Sequence, residues 1–175
     1  MSTAVERRPV SGEYAPSYEK YISLVSPGGI IAALGAQLET TLGLLRGIPE
    51  SKAGFRYEPG KWSIRELLGH LIDSERIFAY RALRFARGDK TPLAGFEQDP
   101  YVTAANFEAC SLSELTLELE YVRRSTVSFF GHLGDEAWAR TGPANANEVS
   151  VRALAYIIAG HELHHIDVLR TKYLS

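Results

Sequence analysis

Apolar residues in this chain recur at steps of three and four, and the recurrence breaks into four long runs. The first runs from about Ser26-Pro27, with proline suited to a first helical turn, to Arg46, where Gly47 supplies a stop. Its stripe is Ile31, Leu34, Leu38, Leu42 and Leu45. The second opens at Trp62-Ser63-Ile64-Arg65-Glu66-Leu67, where Ser63 and Glu66 are spaced as a capping box and Trp62 and Leu67 as a hydrophobic staple, and it ends near Arg87-Gly88. A second S-x-x-E, Ser111 to Glu114, opens a third helix that carries Leu115, Leu119, Val122, Phe129 and Phe130 toward Gly134. The fourth starts at about Ser150 and reaches almost to the end of the chain. No segment alternates apolar and polar residues over a useful length, so no strand is expected.

The connection from Gly88 to Cys110 is about 23 residues, whereas antiparallel neighbours in a bundle are usually joined by roughly two to eight. Extended at about 3.3 Å per residue it reaches about 75 Å, ample to run back along a helix of about 37 Å. Helices 2 and 3 are therefore expected to be parallel, and the shorter link to helix 4 makes that helix antiparallel to both. The expected fold is all-α: an up-down-down-up four-helix bundle with a long crossover between helices 2 and 3. Residues 1–175 suit a single domain, with residues 1–16 as an extended N-terminal segment.

Composition narrows the partners. A hydrophobic share of 45% and a charged share of 23% are those of an ordinary globular protein. A formal charge of −2 offers no general attraction to nucleic acid or to an anionic membrane. The N-terminal stretch lacks the apolar core of a signal peptide and no run is long enough to span a bilayer, so a cytoplasmic location is expected. The lone Cys110 precedes a helix with no histidine near it in sequence, which suits an incidental thiol better than a nucleophile.

The chemistry lies in the histidines. On helix 4, Val151, Leu154, Ile158, His161, His165 and Val168 form one inward stripe, and the i, i+4 pair His161 and His165 can reach a single ion. On helix 2, His70 lies between Leu67 and Ser74 on the stripe that continues to Ile77. His70 sits about 10 Å after the start of its helix and His165 about 10 Å before the end of helix 4, levels that coincide only if the two are antiparallel. A single buried histidine is usually a hydrogen-bonded core residue. Three at one level would leave several polar atoms unsatisfied, at about 1 to 3 kcal/mol each, unless a divalent ion takes one nitrogen from every ring. His164 points about 100° away from His165, and His132 falls near the end of helix 3; both are expected at the surface or as caps. His161-Glu162-Leu163-His164-His165 also satisfies H-E-x-x-H, the zinc-protease helix, but no convincing third ligand follows in Ile166 to Ser175.

Gly12-Glu13-Tyr14, the stretch from Gly60-Lys61-Trp62-Ser63 through Gly69-His70-Leu71-Ile72-Asp73-Ser74, and His161-Glu162-Leu163-His164-His165-Ile166 together resemble the DinB/YfiT-like family of four-helix-bundle metal-dependent proteins. The resemblance covers almost the whole chain. It implies a metal, usually zinc or nickel, held at the positions of His70, His161 and His165. It also implies a reaction drawn from a range that includes transferases and isomerases using low-molecular-weight thiols and proteins described as metal-dependent hydrolases.

Three nitrogen ligands leave a coordination position open, as in catalytic zinc sites. The expected function is a metal-dependent transferase using a low-molecular-weight thiol on a small-molecule substrate. The alternatives are a metal-dependent hydrolase and a non-catalytic metal-binding or dimerising module. Glu162 and Asp73 are the candidate catalytic carboxylates. Arg81, returning to the inner side of helix 2, and Phe96 and Tyr101 on the aromatic crossover are the candidate substrate-binding residues. Apolar helix faces suggest a homodimer.

Overall fold

The computed structural model describes residues 7–175. Part of the segment expected to be extended, residues 1–6, lies outside the described residues; the rest turns at Gly12, where φ is +96°, and leads into a short helix at Glu19–Ile22.

Four helices form the bundle: α1 (Ile30–Arg46), α2 (Ile64–Ala86), α3 (Leu112–Gly131) and α4 (Val151–Val168), the last continued by a wider π turn over Leu169–Tyr173. Both capping boxes form, Ser63 with Glu66 and Ser111 with Glu114, and Ser150 caps α4 by accepting from the Ala153 amide. The start of α1 is later than expected: Gly28 takes φ +140°, which a helix cannot contain, so Ser26 to Gly29 make a turn and helix begins at Ile30.

Side-chain contacts fix the directions. Arg46 near the end of α1 meets Glu120, while Arg123 reaches back to the Leu34 carbonyl, so α1 and α3 are antiparallel. Arg76 on α2 pairs with Glu118 of α3, and farther along the same groove Tyr80 and Leu83 face Tyr121 to Phe129, so α2 and α3 are parallel. At one end of α2 the Tyr173 hydroxyl donates to the Trp62 carbonyl, and farther along Phe78 lies by His161, so α4 runs against α2. Gln37 to Ala159 and Thr41 to Glu162 show α1 and α4 in step. This is the up-down-down-up order that the loop lengths required.

The crossover is folded and pinned rather than slack. It contains a helix at Gln98–Ala104 and a 3-10 turn at Phe107–Ala109. A Cβ on Gly69 would come within 2.4 Å of the Phe107 ring, so glycine there lets the crossover sit against α2. Glu108 accepts from Ser63, Arg56 and Arg65 at the start of that helix. At its other end Leu93 exchanges backbone hydrogen bonds with Pro143 and Asn145.

Contrary to the expectation of no strand, β1 (Thr141–Ala144) and β2 (Asn147–Ser150) form a hairpin before α4. Each is four residues, too short for alternation to register. The turn runs through Asn145 and Ala146, both with positive φ, without the glycine that usually announces such a turn.

Helix α4 is also more deeply buried than one stripe allows. Every residue from Val151 to Glu162 is buried, because the Glu19–Ile22 helix covers the face turned away from the bundle. A Cβ on Gly160 would lie 2.0 Å from the Tyr21 carbonyl oxygen, so this close approach depends on glycine. The core divides into two apolar clusters, one around Phe78, Phe85, Phe130 and Ile158, the other around Leu45, Leu71, Leu119 and Ile166. Between them along the helices lies a buried polar layer: Thr41, His70, Ser74, Glu75, Arg123, His161 and Glu162. No helix among the described residues is long and apolar enough to cross a membrane.

Candidate metal centre

The three histidines meet in that layer. His161 Nε2 lies 3.1 Å from His70 Nε2 and 3.1 Å from His165 Nε2, and all three ligand atoms fall within 4.8 Å of one another. His70 and His161 are buried and His165 is partly exposed. The helices deliver this geometry because α2 and α4 are antiparallel and the two i, i+4 side chains of α4 stack on one face.

The surroundings hold each ring still. The Trp62 indole packs 4.7 Å from the His70 ring, and Tyr21 and Phe78 present edges to His161 at 5.2 Å and 6.0 Å. Ser74 Oγ stands 3.4 Å from His70 Nδ1, where the ring N–H can donate to it and leave Nε2 a lone pair. Burial lowers the pKa of all three. His70 falls to about 4, with the charge of Asp99 partly opposing the fall; His165 falls to about 3, helped by His70 and His164; His161 falls well below the ordinary value.

Neutral imidazoles are what a metal needs. Two ligands at about 2.0 to 2.1 Å from a tetrahedral ion stand about 3.4 Å apart, close to the 3.1 Å from His161 Nε2 to each of the other two nitrogens. Without an ion, three neutral rings turned Nε2 to Nε2 cannot each find a donor for a lone pair. The donor set therefore fits a borderline-soft divalent ion.

His165 also lines a cavity of about 370 Å³ whose other walls include Trp62, Lys61, Gln98, Asp99, His164 and Tyr173. This corrects the placing of His164 at the surface: it is half-buried, its ring 5.0 Å from His165 and 5.5 Å from Tyr21. His132 is the exposed C-cap of α3.

The remaining candidates scatter. Glu162 is buried, but its oxygens are occupied by Thr41 at 2.6 Å and Arg123 at 2.7 Å. Asp73 stands 3.8 Å from Arg76 and feels Glu118 on α3; partial burial raises its pKa. Arg81, at 3% exposure, does not reach solvent but donates to the Ala94 carbonyl at 2.8 Å and lies 5.9 Å from the Phe96 ring centre. Phe96 in turn packs 5.2 Å from Tyr101, whose ring is 48% exposed. Arg81 thus braces the crossover. Asp99, which the sequence reading passed over, faces the cavity. It sits on a short helix with no apolar period to orient it, so its only signal was the length of the crossover. With His70 supplying the third nitrogen and Glu162 turned to Arg123, the protease reading of H-E-x-x-H has no support.

The DinB superfamily model matches residues 33–169. A protein of Oceanobacillus iheyensis, provisionally assigned as a metal-dependent hydrolase, is 28% identical over 112 residues, covering 63% of this chain and 64% of that protein. The chain thus spans less than two thirds of that relative's length. Among solved structures, YfiT from Bacillus subtilis, described as a probable metal-dependent hydrolase with an unusual four-helix bundle topology, superposes with a TM-score of 0.67 at 16% identity over 94% of this chain and 93% of its own. A mycothiol-dependent maleylpyruvate isomerase superposes with a TM-score of 0.67 at 11% identity over 83% of this chain and 62% of its own. At such identities these structures speak for the fold. Since the family model takes in most of the sequence and all three converging histidines, the chain belongs to the DinB superfamily.

Proposed function

We propose that this protein is a metal-dependent enzyme in which His70, His161 and His165 hold one divalent ion, zinc or nickel, and that it transfers a low-molecular-weight thiol to a small electrophile. The observation that carries the reading is the convergence of three Nε2 atoms, one of them on His165, which lines the adjoining cavity. An ion in this site supplies Lewis acidity, lowering the pKa of a thiol or water and polarising the electrophile.

The chain's own residues do the rest. Trp62, Tyr21 and Phe78 pack against the rings of His70 and His161 and fix them. Asp99 accepts the proton released by the nucleophile, since it is the carboxylate that lines the cavity with His165. Lys61 at the same wall offers a cation to an anionic group of the substrate. Cationic and anionic groups beside the aromatic rings of Trp62 and Tyr173 suit a small, polar, charge-bearing thiol.

A hydrolase is the second reading, favoured by the provisional assignment of the Oceanobacillus relative. Metal-loaded protein assayed with bacillithiol, mycothiol or glutathione and simple electrophiles, beside ester and amide substrates, separates the two. Thiol-dependent turnover is expected; turnover of esters or amides alone would replace the first reading with the second. Elemental analysis should find about one transition metal per chain, lost from His70→Ala and His161→Ala, and full occupancy in both variants would refute the site. A homodimer is proposed on the exposed Tyr80, Leu83 and Tyr121, with twice the monomer mass expected in sedimentation.

A further inference from the structure

Behind His161 lies a second buried cluster that the chemistry above does not use. Arg123 on α3, 1% exposed, donates Nε and Nη2 to the two oxygens of Glu75 on α2, each at 2.8 Å. Its Nη1 donates to Glu162 on α4 at 2.7 Å and to the Leu34 carbonyl on α1 at 3.3 Å. Thr41 of α1 closes the ring by donating to Glu162 at 2.6 Å. All four bundle helices meet here.

A structural ion pair needs one carboxylate for one guanidinium. This cluster has two, each only about 4% exposed, so with both ionised it carries one negative charge in excess in the core. Burying such an excess is costly unless another positive charge stands nearby. The space between is bounded by Glu75, Phe78, Arg123, His161 and Glu162 and is too tight to admit water. With no water to screen it, the excess charge acts at low dielectric on whatever His161 holds.

We propose that the Glu75–Arg123–Glu162 cluster is the built-in counter-charge of the metal centre, setting affinity for a divalent ion through the one negative charge it holds in excess. This rests on the metal-site reading above. It assigns Glu162 to electrostatic positioning of the ion rather than to proton transfer, and it adds Glu75 and Arg123, which lie far from the histidine motif in sequence.

The test uses the isosteric variants Glu162→Gln and Glu75→Gln, which keep the size and planar shape of the side chain but remove the excess charge, Glu75→Gln also giving up one of its two bonds from Arg123. Zinc affinity is measured by chelator competition on the full chain, and melting of the metal-free protein is followed in parallel. Both variants are expected to bind zinc about 10-fold to 100-fold more weakly than the parent. The loss should be smaller for copper(I) under anaerobic conditions, because the attraction scales with the charge of the ion. Unchanged zinc affinity in a folded variant, or equal losses for zinc(II) and copper(I), overturns the proposal and leaves a purely structural ion pair. If Glu162→Gln does not fold, Glu75→Gln decides, since Glu75 is not next to a ligand in sequence as Glu162 is next to His161. Failure of the unaltered protein to bind zinc at all defeats the metal-site reading itself, a different outcome from unchanged affinity in the variants.

Discussion

Gly160, next to His161, shows how much one missing side chain can carry. The Tyr21 backbone occupies the place where a Cβ would stand, and the Tyr21 ring rests against His161. Gly160→Ala is expected to push the Glu19–Ile22 helix off α4 and destabilise the fold by about 1 to 3 kcal/mol, read as a lower midpoint in urea. An unchanged midpoint would show that the contact yields freely. The spacing of His161 and His165 was legible because α-helical geometry is local. The true surroundings of Glu162 were not, because its partners Thr41 and Arg123 come from distant helices. A helical wheel places a carboxylate on a flank; it cannot say that a buried guanidinium waits there.

At the scale of elements, the start of α4 is secured by a segment more than a hundred residues earlier. The Glu13 carbonyl accepts from the Ser150 amide, and its carboxylate accepts from Ser150 Oγ at 2.8 Å and Arg152 Nε at 3.1 Å. Burial alone would raise the Glu13 pKa, but the Ser150 hydrogen bond and the Arg152 charge outweigh it and leave it lowered. A carboxylate with a lowered folded pKa stabilises the fold above its unfolded pKa, and that contribution fades as pH falls through the folded value. Glu13→Gln should therefore melt earlier than the parent at neutral pH, with the gap closing under acid below about pH 4.5. A gap that is constant with pH would mean the side chain acts by shape alone. The capping boxes at Ser63 and Ser111 were readable because a cap is a contract among four successive residues. The hairpin at Thr141–Ser150 was not, since strands of four residues give no period and its turn lacks glycine.

For the whole molecule, the polar layer divides the core, and an ion held by the three proposed ligands would be coupled to folding. A ligand bound only by the folded state adds stability that grows with its concentration, about 2.7 kcal/mol at 100 times its dissociation constant. Chelator should accordingly lower the melting temperature of metal-loaded protein, and should leave that of His161→Ala unmoved. Equal melting with and without chelator in the parent would mean that no ion contributes to the fold. The same layering explains why the crossover must be long. It returns the chain along α2 so that α3 can bring Arg123 level with Glu75 and Glu162, and on the way it carries Asp99 to the mouth of the cavity.

Legible along the chain were the four helices, the capping boxes at Ser63 and Ser111, the order of the helix directions and the common level of His70, His161 and His165. Each of these follows from local periodicity, local capping or the reach of a loop. Packing in three dimensions settles that α4 is buried on all sides from Val151 to Glu162, that Arg81 braces the crossover, that Asp99 faces the cavity, and that Glu162 belongs to an ion cluster. Those facts depend on which side chains from distant segments meet. Such meetings are settled by packing and charge in three dimensions, and they leave no period along the chain.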